Sequence, residues 1–175
     1  MEKQECQIDL ERKKRIIFGW KPPPISWLKC EIGSAWDKDR NQSGASWILS
    51  NADGKVMLHG RRSFSSINSR LEASFENWSW AIESMKSLHY NSVIFSGEDH
   101  DLIKAIVKPS AWPALKFYTS KLMPMFQSFL KWRVSWAARK DLREATQIAN
   151  SVVSKDLFQS YIAIGFPAWL RHLYV

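Results

Sequence analysis

Residues 27–36 have the sequence Trp27-Leu28-Lys29-Cys30-Glu31-Ile32-Gly33-Ser34-Ala35-Trp36, which predicts a strand at the start of a domain. Residues 44–50, Gly-Ala-Ser-Trp-Ile-Leu-Ser, predict a second strand. Residues 51–54, Asn-Ala-Asp-Gly, predict a tight turn, because glycine readily adopts a positive φ. Residues 55–65 predict the returning third strand. Three strands joined by short loops form an antiparallel meander.

Helices and strands alternate along the rest of the chain. Residues 69–72, Ser-Arg-Leu-Glu, have the capping-box pattern that begins a helix. One face of this helix carries apolar residues at four- and three-residue spacing: Leu71, Phe75, Trp78, Ile82 and Met85. Beyond it we expect a buried strand at 92–96, a helix at 99–107, a helix at 112–123 limited by Pro124, a fifth strand at 129–136, and a helix at 141–153 opened by Asp141 and Glu144. The order β-β-β-α-β-α-α-β-α predicts an α/β fold, a mixed five-stranded sheet with helices on both faces.

Composition narrows the class of protein. The length of 175 residues fits one domain, and 45% hydrophobic residues suffice for a core. The net charge of +8 favours contact with phosphate backbones, although it could also serve solubility alone. The two cysteines, Cys6 and Cys30, form neither a disulfide framework nor a zinc motif. We therefore expect an intracellular protein, nuclear or cytoplasmic. No apolar run predicts a membrane helix or a secretory signal, so we expect no membrane association.

The first 26 residues predict a basic, proline-rich tail or linker, with the folded domain at 27–175. The cluster Glu11-Arg12-Lys13-Lys14-Arg15 has the composition of a nuclear localisation signal or a phosphate-binding arm, and equally of a solvated flank. Residues 22–24 are all proline and favour an extended approach to the domain.

Five short motifs follow one another in the domain. They are K-C-x-x-x-x-A-W at 29–36; S-N-A-D-G-K-V at 50–56; L-E-A-S-F-E at 71–76 with W-A-I-E-S-M at 80–85; V-I-F-S-G-E-D at 93–99 with Leu102 and then W-P-A-L at 112–115; and R-E-A at 143–145 with I-A at 148–149. In this order they resemble the reverse-transcriptase-like RNase H domain of plant non-LTR retroelements. The resemblance covers about residues 27–170 and implies the RNase H-like fold.

The resemblance also implies a chemistry. RNase H enzymes hydrolyse the RNA of RNA–DNA hybrids with two divalent ions roughly 4 Å apart, and Mg²⁺ requires hard oxygen ligands. In this family the ligands are an Asp on strand one, a Glu on the first helix, an Asp ending strand four and an Asp on the last helix. An active member would therefore use Mg²⁺ as its cofactor.

Most of these ligand positions have lost their acid in this chain. Gly33 takes the place of the first aspartate, and Ser74 that of the glutamate. Glu98 keeps an acid at the strand-four position, with Asp99 beside it, and is the one residue expected to contact a metal. The last motif is R-E-x-N-x-x-A-D-x-L-A in the family; here it looks shortened, and Thr146 marks the lost aspartate.

Other acids lie close by in the sequence. Glu31 is on the same strand face as Gly33, two residues back, and Glu72 and Glu76 flank Ser74. Asp37 lies beyond the strand. Since three of four ligand positions are changed, we expect an impaired or inactive nuclease that needs no cofactor. Two alternatives stay open. One is a protein-interaction module on the same scaffold, and the other is an active hybrid ribonuclease with a rearranged site that uses Glu31, Glu72 or Glu76, Glu98 and Asp99.

Nucleic-acid binding does not depend on the metals, because basic residues contact the backbone directly. The candidate contacts are Lys38, Arg40, Arg61, Arg62, Lys104, Lys108, Lys131, Arg133, Arg139 and Lys140. We expect weak binding of RNA–DNA hybrid or RNA, with a protein partner as a further possibility. Of the ten tryptophans, Trp47, Trp78, Trp80 and Trp112 are expected to be in the core or partly buried, while Trp20, Trp27 and Trp169 are candidates for tail or partner contacts.

Overall fold

The computed structural model describes residues 20–173. Within them the strands are β1 (Leu28–Asp37), β2 (Gln42–Ser50), β3 (Val56–Phe64), β4 (Ser92–Gly97), β5 (Lys131–Trp136) and β6 (Tyr161–Ile164). The α-helices are α1 (Arg70–Ser87), α2 (His100–Val107), α3 (Lys116–Gln127) and α4 (Arg143–Ser154). Short 3₁₀ turns lie at Pro109–Ala111, Pro113–Leu115, Arg139–Leu142 and Ala168–Leu173.

The strands form one mixed sheet in the order β5-β4-β1-β2-β3-β6. β1, β2 and β3 are consecutive antiparallel neighbours, which confirms the predicted meander. Its β2–β3 turn is closed by the Gly54 amide donating to the Asn51 carbonyl, with Gly54 at φ 81°. β4 pairs with β1 in parallel, with Glu31 opposite Ser96, and β5 continues the parallel part. The carboxyl ends of β1 and β4 therefore meet at one edge of the sheet.

One sheet face is covered by α1, α2 and α3 around the main core. Ser69 caps α1, because its hydroxyl accepts the Glu72 amide, as the capping pattern predicts. Four of the five predicted apolar positions of α1 are buried: Phe75, Trp78, Ile82 and Met85. Trp78 packs beside Phe95 of β4 and Phe126 of α3, with ring centroids 6.4 and 6.5 Å away.

The other face is covered by α4, which lies against β1 and β2. Small residues line this part of the sheet: Gly33 and Ala35 on β1, Gly44 and Ser46 on β2, where Gly33 pairs with Ser46 and Ala35 with Gly44. A Cβ on Gly44 would lie 2.8 Å from the Cβ of Val152 and closer still to the carbonyl oxygen of Ala149. Backbone-to-backbone approach therefore replaces side-chain interdigitation here.

The strand count of the sequence prediction was wrong by one. β6 pairs with β3 and makes six strands, where five were expected. Its docking depends on His59 of β3, whose Nδ1 lies 2.5 Å from the Gly165 carbonyl oxygen and whose Nε2 lies 3.2 Å from the Tyr161 hydroxyl. These contacts join residues about a hundred positions apart, so no local pattern indicated them.

Two helix boundaries also differ from the prediction. Pro124 lies inside α3 and does not end it, because Leu122 and Phe126 on either side are fully buried and hold the helix against the core. Asp141 lies in the 3₁₀ turn before α4, and no side chain caps α4, so the predicted Asp141–Glu144 cap is wrong.

Residues 20–26 pack on the domain. Trp20 is buried, and its indole Nε1 donates to the Glu31 carboxylate at 2.6 Å. The guanidinium carbon of Arg133 lies over the indole of Trp27, 4.5 Å from the centroid of that ring. The division at residue 27 was drawn from sequence; the basic cluster at 11–15 and Cys6 lie outside the described residues. Among the described helices, none has the length and apolar character needed to cross a membrane.

Candidate nucleic-acid interface

A groove of about 600 Å³ lies where the carboxyl ends of β1 and β4 meet the start of α1 and the second half of α4. We call it the edge groove. Its lining residues are Ser34, Ala35, Trp36, Arg70, Ser74, Glu98, Asp99, His100, Asp101, Arg139, Asn150 and Val153. A shallower extension shares Trp36, Arg70 and Val153 and adds Asp37, Lys38 and Ser154. Crevices at the carboxyl ends of parallel strands commonly bind ligands.

Gly33 has no room for a side chain in this arrangement. A Cβ there would lie 2.5 Å from the Ser46 Oγ and still closer to the carbonyl oxygen of Ala145. The Ser46 hydroxyl donates to that same carbonyl and joins α4 to the sheet. An aspartate at this position would therefore collide with α4. The family's first metal ligand is absent, and the space that it would need is occupied.

Ser74 and Asn150 take the two helical ligand positions. Ser74 is nearly buried on α1 and lines the edge groove. The helix α4 runs without interruption from Arg143 to Ser154, so the last motif needs no gap. Counting R-E-x-N-x-x-A-D from Arg143 places Asn150, and not Thr146, at the aspartate. Asn150 lines the groove, whereas Thr146 is buried and is not among the lining residues.

Glu98 is in the groove, and its carboxylate is occupied. The Arg139 guanidinium lies 2.9 Å from Glu98 Oε1, and the Trp136 indole donates to the Glu98 carbonyl at 3.1 Å. The neighbouring Asp99 caps α2, because its carboxylate accepts the Leu102 amide at 3.0 Å. Both remaining acids at the end of β4 thus already have protein partners.

Glu31 lies away from the edge groove. It is buried in a separate small pocket of about 170 Å³, behind Trp20 and beside Ser96 and Leu142. Bonded to the Trp20 indole, it is a structural carboxylate that fastens the segment before β1.

The other acids are similarly engaged. Glu72 accepts the Asn68 amide, and Glu76 is not among the residues that line either pocket. Asp37 accepts from Arg40, and this side-chain hydrogen bond lowers the pKa of Asp37. Across residues 20–173, no group of three or more His, Cys, Asp and Glu side chains could hold a metal ion. The donors at the four ligand positions therefore do not fit a pair of magnesium ions.

A family model described as reverse transcriptase-like matches residues 31–152. The chain belongs to this reverse-transcriptase-like family. The match begins within β1 and ends within α4, and it includes every lining residue of the edge groove except Val153. The predicted RNase H-like fold is confirmed by solved structures. No curated protein matches the chain.

The solved structures that resemble this reverse-transcriptase-like domain are remote in sequence. RNase H1 from the halophilic archaeon Halobacterium salinarum NRC-1 is 16% identical, with a TM-score of 0.66 over 74% of this chain and 98% of that one. LC11-RNase H1, from a compost metagenome and solved with an RNA/DNA hybrid, is 12% identical, with a TM-score of 0.64 over 74% and 99%. The foamy viral protease-reverse transcriptase, solved with double-stranded DNA, is 9% identical, with a TM-score of 0.53 over 74% and 96%. At these identities the likeness shows the fold.

The predicted basic contacts of this reverse-transcriptase-like domain lie on several surfaces. Arg139 lines the edge groove and Lys38 its extension. Arg40 pairs with Asp37 and Asp156 at 2.9 and 2.7 Å, which joins the end of β1 to the end of α4. Residues on other elements are Arg61 and Arg62 on β3, Lys131 and Arg133 on β5, Lys104 on α2, Lys108 at the end of α2, and Lys140 in the 3₁₀ turn.

The predicted basic residues on β3 and β5 also lie far apart in the sheet. β3 and β5 have three strands between them, and Arg61 and Arg62 point to opposite sheet faces. Arg61 covers Tyr161 at 4.6 Å and donates to the Gln159 carbonyl, which supports β6.

Arg70 and Asn150 line the groove and were not among the site residues predicted from the sequence. Arg70 is the first residue of α1 and lies one turn before Ser74, so the capping pattern places it at the same end of the helix. For Asn150, the motif R-E-x-N-x-x-A-D counted from Arg143 without a gap would have identified the residue. Together with Lys38 and Arg139, Arg70 makes the groove and its extension a surface with three exposed cations.

Proposed function

We propose that this domain derives from a plant retroelement, binds nucleic acid at the edge groove, and has lost hydrolysis of RNA–DNA hybrids. One observation carries the proposal: the four ligand positions hold Gly33, Ser74, Asn150 and a Glu98 already paired with Arg139. The resemblance of the five motifs supports the retroelement origin.

The loss of hydrolysis follows from the chemistry of the ligands. Two magnesium ions need several carboxylates that converge on them, to supply charge and octahedral geometry. Glycine supplies no donor, and serine and asparagine supply neutral ones. A single ion-paired glutamate cannot replace the rest. The rearranged site with Glu31 is disfavoured because Glu31 lies behind Trp20, outside the edge groove.

Nucleic-acid binding is supported by charge and by likeness. The chain carries +8, and Lys38, Arg70 and Arg139 follow the groove and its extension. LC11-RNase H1 was solved with an RNA/DNA hybrid, and the foamy viral protease-reverse transcriptase with double-stranded DNA. RNA–DNA hybrid is accordingly the first ligand to test.

The test combines cleavage and binding on one labelled hybrid. We expect no cleavage by the wild-type chain with Mg²⁺ or Mn²⁺, and binding whose affinity falls steeply as salt rises, because phosphate contacts release counterions. Robust cleavage that Glu98→Ala abolishes would establish the active alternative.

A protein-interaction module is the second candidate, and the edge strand favours it. Ile164 and Ile162 of β6 are 88% and 49% exposed, on the outer strand of the sheet. Scattered exposed apolar residues are common, whereas neighbouring ones on an edge strand can dock a partner. Absence of binding to hybrid, duplex RNA and single strands at low salt would support this candidate over the first.

A further inference from the structure

We propose that the guanidinium groups of Arg70 and Arg139 hold a backbone phosphate of the bound nucleic acid in the edge groove, so that binding needs no divalent cation. This inference rests on the proposed nucleic-acid binding and specifies how the groove achieves it. In a two-metal nuclease the cations at this edge offset the charge of the phosphate. Here the protein itself supplies positive charge at the same edge.

Arg139 is held beside Glu98 at the carboxyl end of β4, where it lines the edge groove. The ladder between β4 and β5 continues past the end of β5, because the Ala137 amide donates to the Gly97 carbonyl at 2.9 Å. The following 3₁₀ turn begins at Arg139 and brings its guanidinium to Glu98. Arg139 is 52% exposed and Glu98 30%, so the guanidinium still faces solvent in the groove.

Arg70 approaches from the side of α1. It is exposed, lines both the edge groove and its extension, and makes no ion pair among the described residues. The Ser74 hydroxyl and the Asn150 amide line the same groove. These neutral groups can donate to phosphate oxygens, whereas the carboxylates that the family places there would repel a phosphate in the absence of metal.

The charge balance of the groove agrees with a metal-free role. A complete ligand set would place four carboxylates at this edge, whereas this chain keeps Glu98, neutralised by Arg139. Asp99 and Asp101 lie beside the start of α2, and Asp37 is paired with Arg40. With Glu98 paired to Arg139 and Asp37 to Arg40, Arg70 and Lys38 remain to balance Asp99 and Asp101, so the groove is nearly neutral where a complete metal site would be strongly acidic. Glu98 therefore competes with phosphate for Arg139 and does not help to bind it.

Because of this competition, the direction in which Glu98→Gln changes the affinity for nucleic acid distinguishes a metal-dependent site from the one proposed here. In a metal-dependent site, removal of the glutamate charge weakens nucleic-acid binding. In the arrangement proposed here, the same change frees Arg139 and removes repulsion, so affinity for hybrid rises several-fold.

The experiment is fluorescence anisotropy with a labelled RNA–DNA hybrid and the full chain, in EDTA and in Mg²⁺. We expect equal affinity in both. Arg139→Gln and Arg70→Gln should each weaken binding roughly tenfold, equivalent to about 1.4 kcal/mol, because each removes a charged hydrogen-bond donor to the phosphate. Each also lowers the slope of log affinity against log salt by about one.

Matched controls remove the same charge away from the groove. Arg171→Gln changes an exposed arginine of the Ala168–Leu173 turn, and Lys86→Gln changes the far end of α1. Thermal unfolding of every variant confirms that the fold is retained. Groove and control variants of equal affinity would overturn the inference, as would binding that EDTA abolishes or a Glu98→Gln chain that binds more weakly.

Failure of this inference can be told from failure of the proposed function. A wild-type chain that binds no hybrid at low salt rejects both. A wild-type chain that binds hybrid with a steep salt dependence, unaffected by either arginine change, rejects the phosphate contact alone.

Discussion

Gly33 of β1 lies directly against the backbone of Ala145 in α4, and any side chain on Gly33 would collide with the Ala145 carbonyl oxygen. The helix is held there by Ser46, which donates to the same carbonyl. The lost metal ligand and the packing of the last helix are therefore one structural feature. Reintroduction of the acid alone cannot rebuild the site.

The first prediction follows from this contact. Gly33→Asp should lower the free energy of unfolding by roughly 2–4 kcal/mol, since it overpacks a closed interface and buries a carboxylate. It should restore no cleavage, even combined with Ser74→Glu and Asn150→Asp. Urea unfolding and a hybrid-cleavage assay check both parts.

The matched control is Ser34→Asp, which adds the same group to the next residue of β1, where the side chain lines the open groove. It should cost far less stability than Gly33→Asp. Equal losses for the two variants would show that α4 is not what excludes the aspartate.

A second prediction concerns Trp20 and Glu31. Both are buried, and Trp20→Phe removes the indole donor to the carboxylate while keeping an aromatic ring. We expect a loss of about 1.5–3 kcal/mol in unfolding free energy, the range for a hydrogen bond to a charged group. Trp27→Phe is the control, because Trp27 is only half-buried and stacks on Arg133.

The interaction itself is isolated by a double-mutant cycle with Glu31→Gln. The two changes should be coupled by about 1 kcal/mol or more. Strictly additive losses would mean that the hydrogen bond does not hold residues 20–26 to the domain.

A third prediction is a pH dependence centred on His59. Burial, followed by the positive charge of Arg61, lowers the pKa of His59, while its contact with the Gly165 carbonyl acts in the opposite sense. The unfolded imidazole therefore takes up a proton more readily than the folded one. Stability that is complete above pH 6.5 should fall as the pH drops below it towards the folded pKa.

The check is urea unfolding between pH 7.5 and pH 5. His59→Gln should remove most of the pH dependence in this window, whereas His100→Gln, at an exposed position, should leave it in place. An unchanged slope in His59→Gln would assign the effect to other groups.

A fourth prediction concerns the thiol of Cys30. Complete burial raises the pKa of Cys30 well above its ordinary value of 9.0, and the adjacent Glu31 charge adds to the shift. In a Cys6→Ser background, an alkylating reagent should modify Cys30 only after unfolding. The same shift means that stability falls as the pH rises above about 9, because only the unfolded thiol ionises there. Rapid labelling of the native chain would contradict the burial.

Local patterns accounted for much of the fold and for less of the site. Alternation and turn chemistry predicted β1 to β3, and the capping box with its apolar stripe predicted α1, because these signals arise from neighbours in sequence. β6 has only four residues, and its docking to His59 is a long-range contact. Pro124 does not end α3, because the buried side chains of Leu122 and Phe126 hold that helix against the core.

In the candidate site, too, local patterns identified some features and long-range contacts determined the others. The motifs alone indicate that Gly33 and Ser74 replace acids. They do not indicate that Gly33 has no room for a side chain, because this depends on small residues of two strands that face α4. The pairing of Glu98 with Arg139 joins residues 41 positions apart and needed the parallel β4–β5 ladder. At the last helix, the motif counted without a gap favours Asn150 over Thr146, and Asn150 is the one of the two that lines the edge groove.

A manganese titration of the purified chain, followed by electron paramagnetic resonance, measures directly whether the edge groove holds metal ions. We expect the signal of free Mn²⁺ to be undiminished in the wild-type chain and the same in Glu98→Gln. Two ions bound per wild-type chain, and lost in Glu98→Gln, would contradict this expectation.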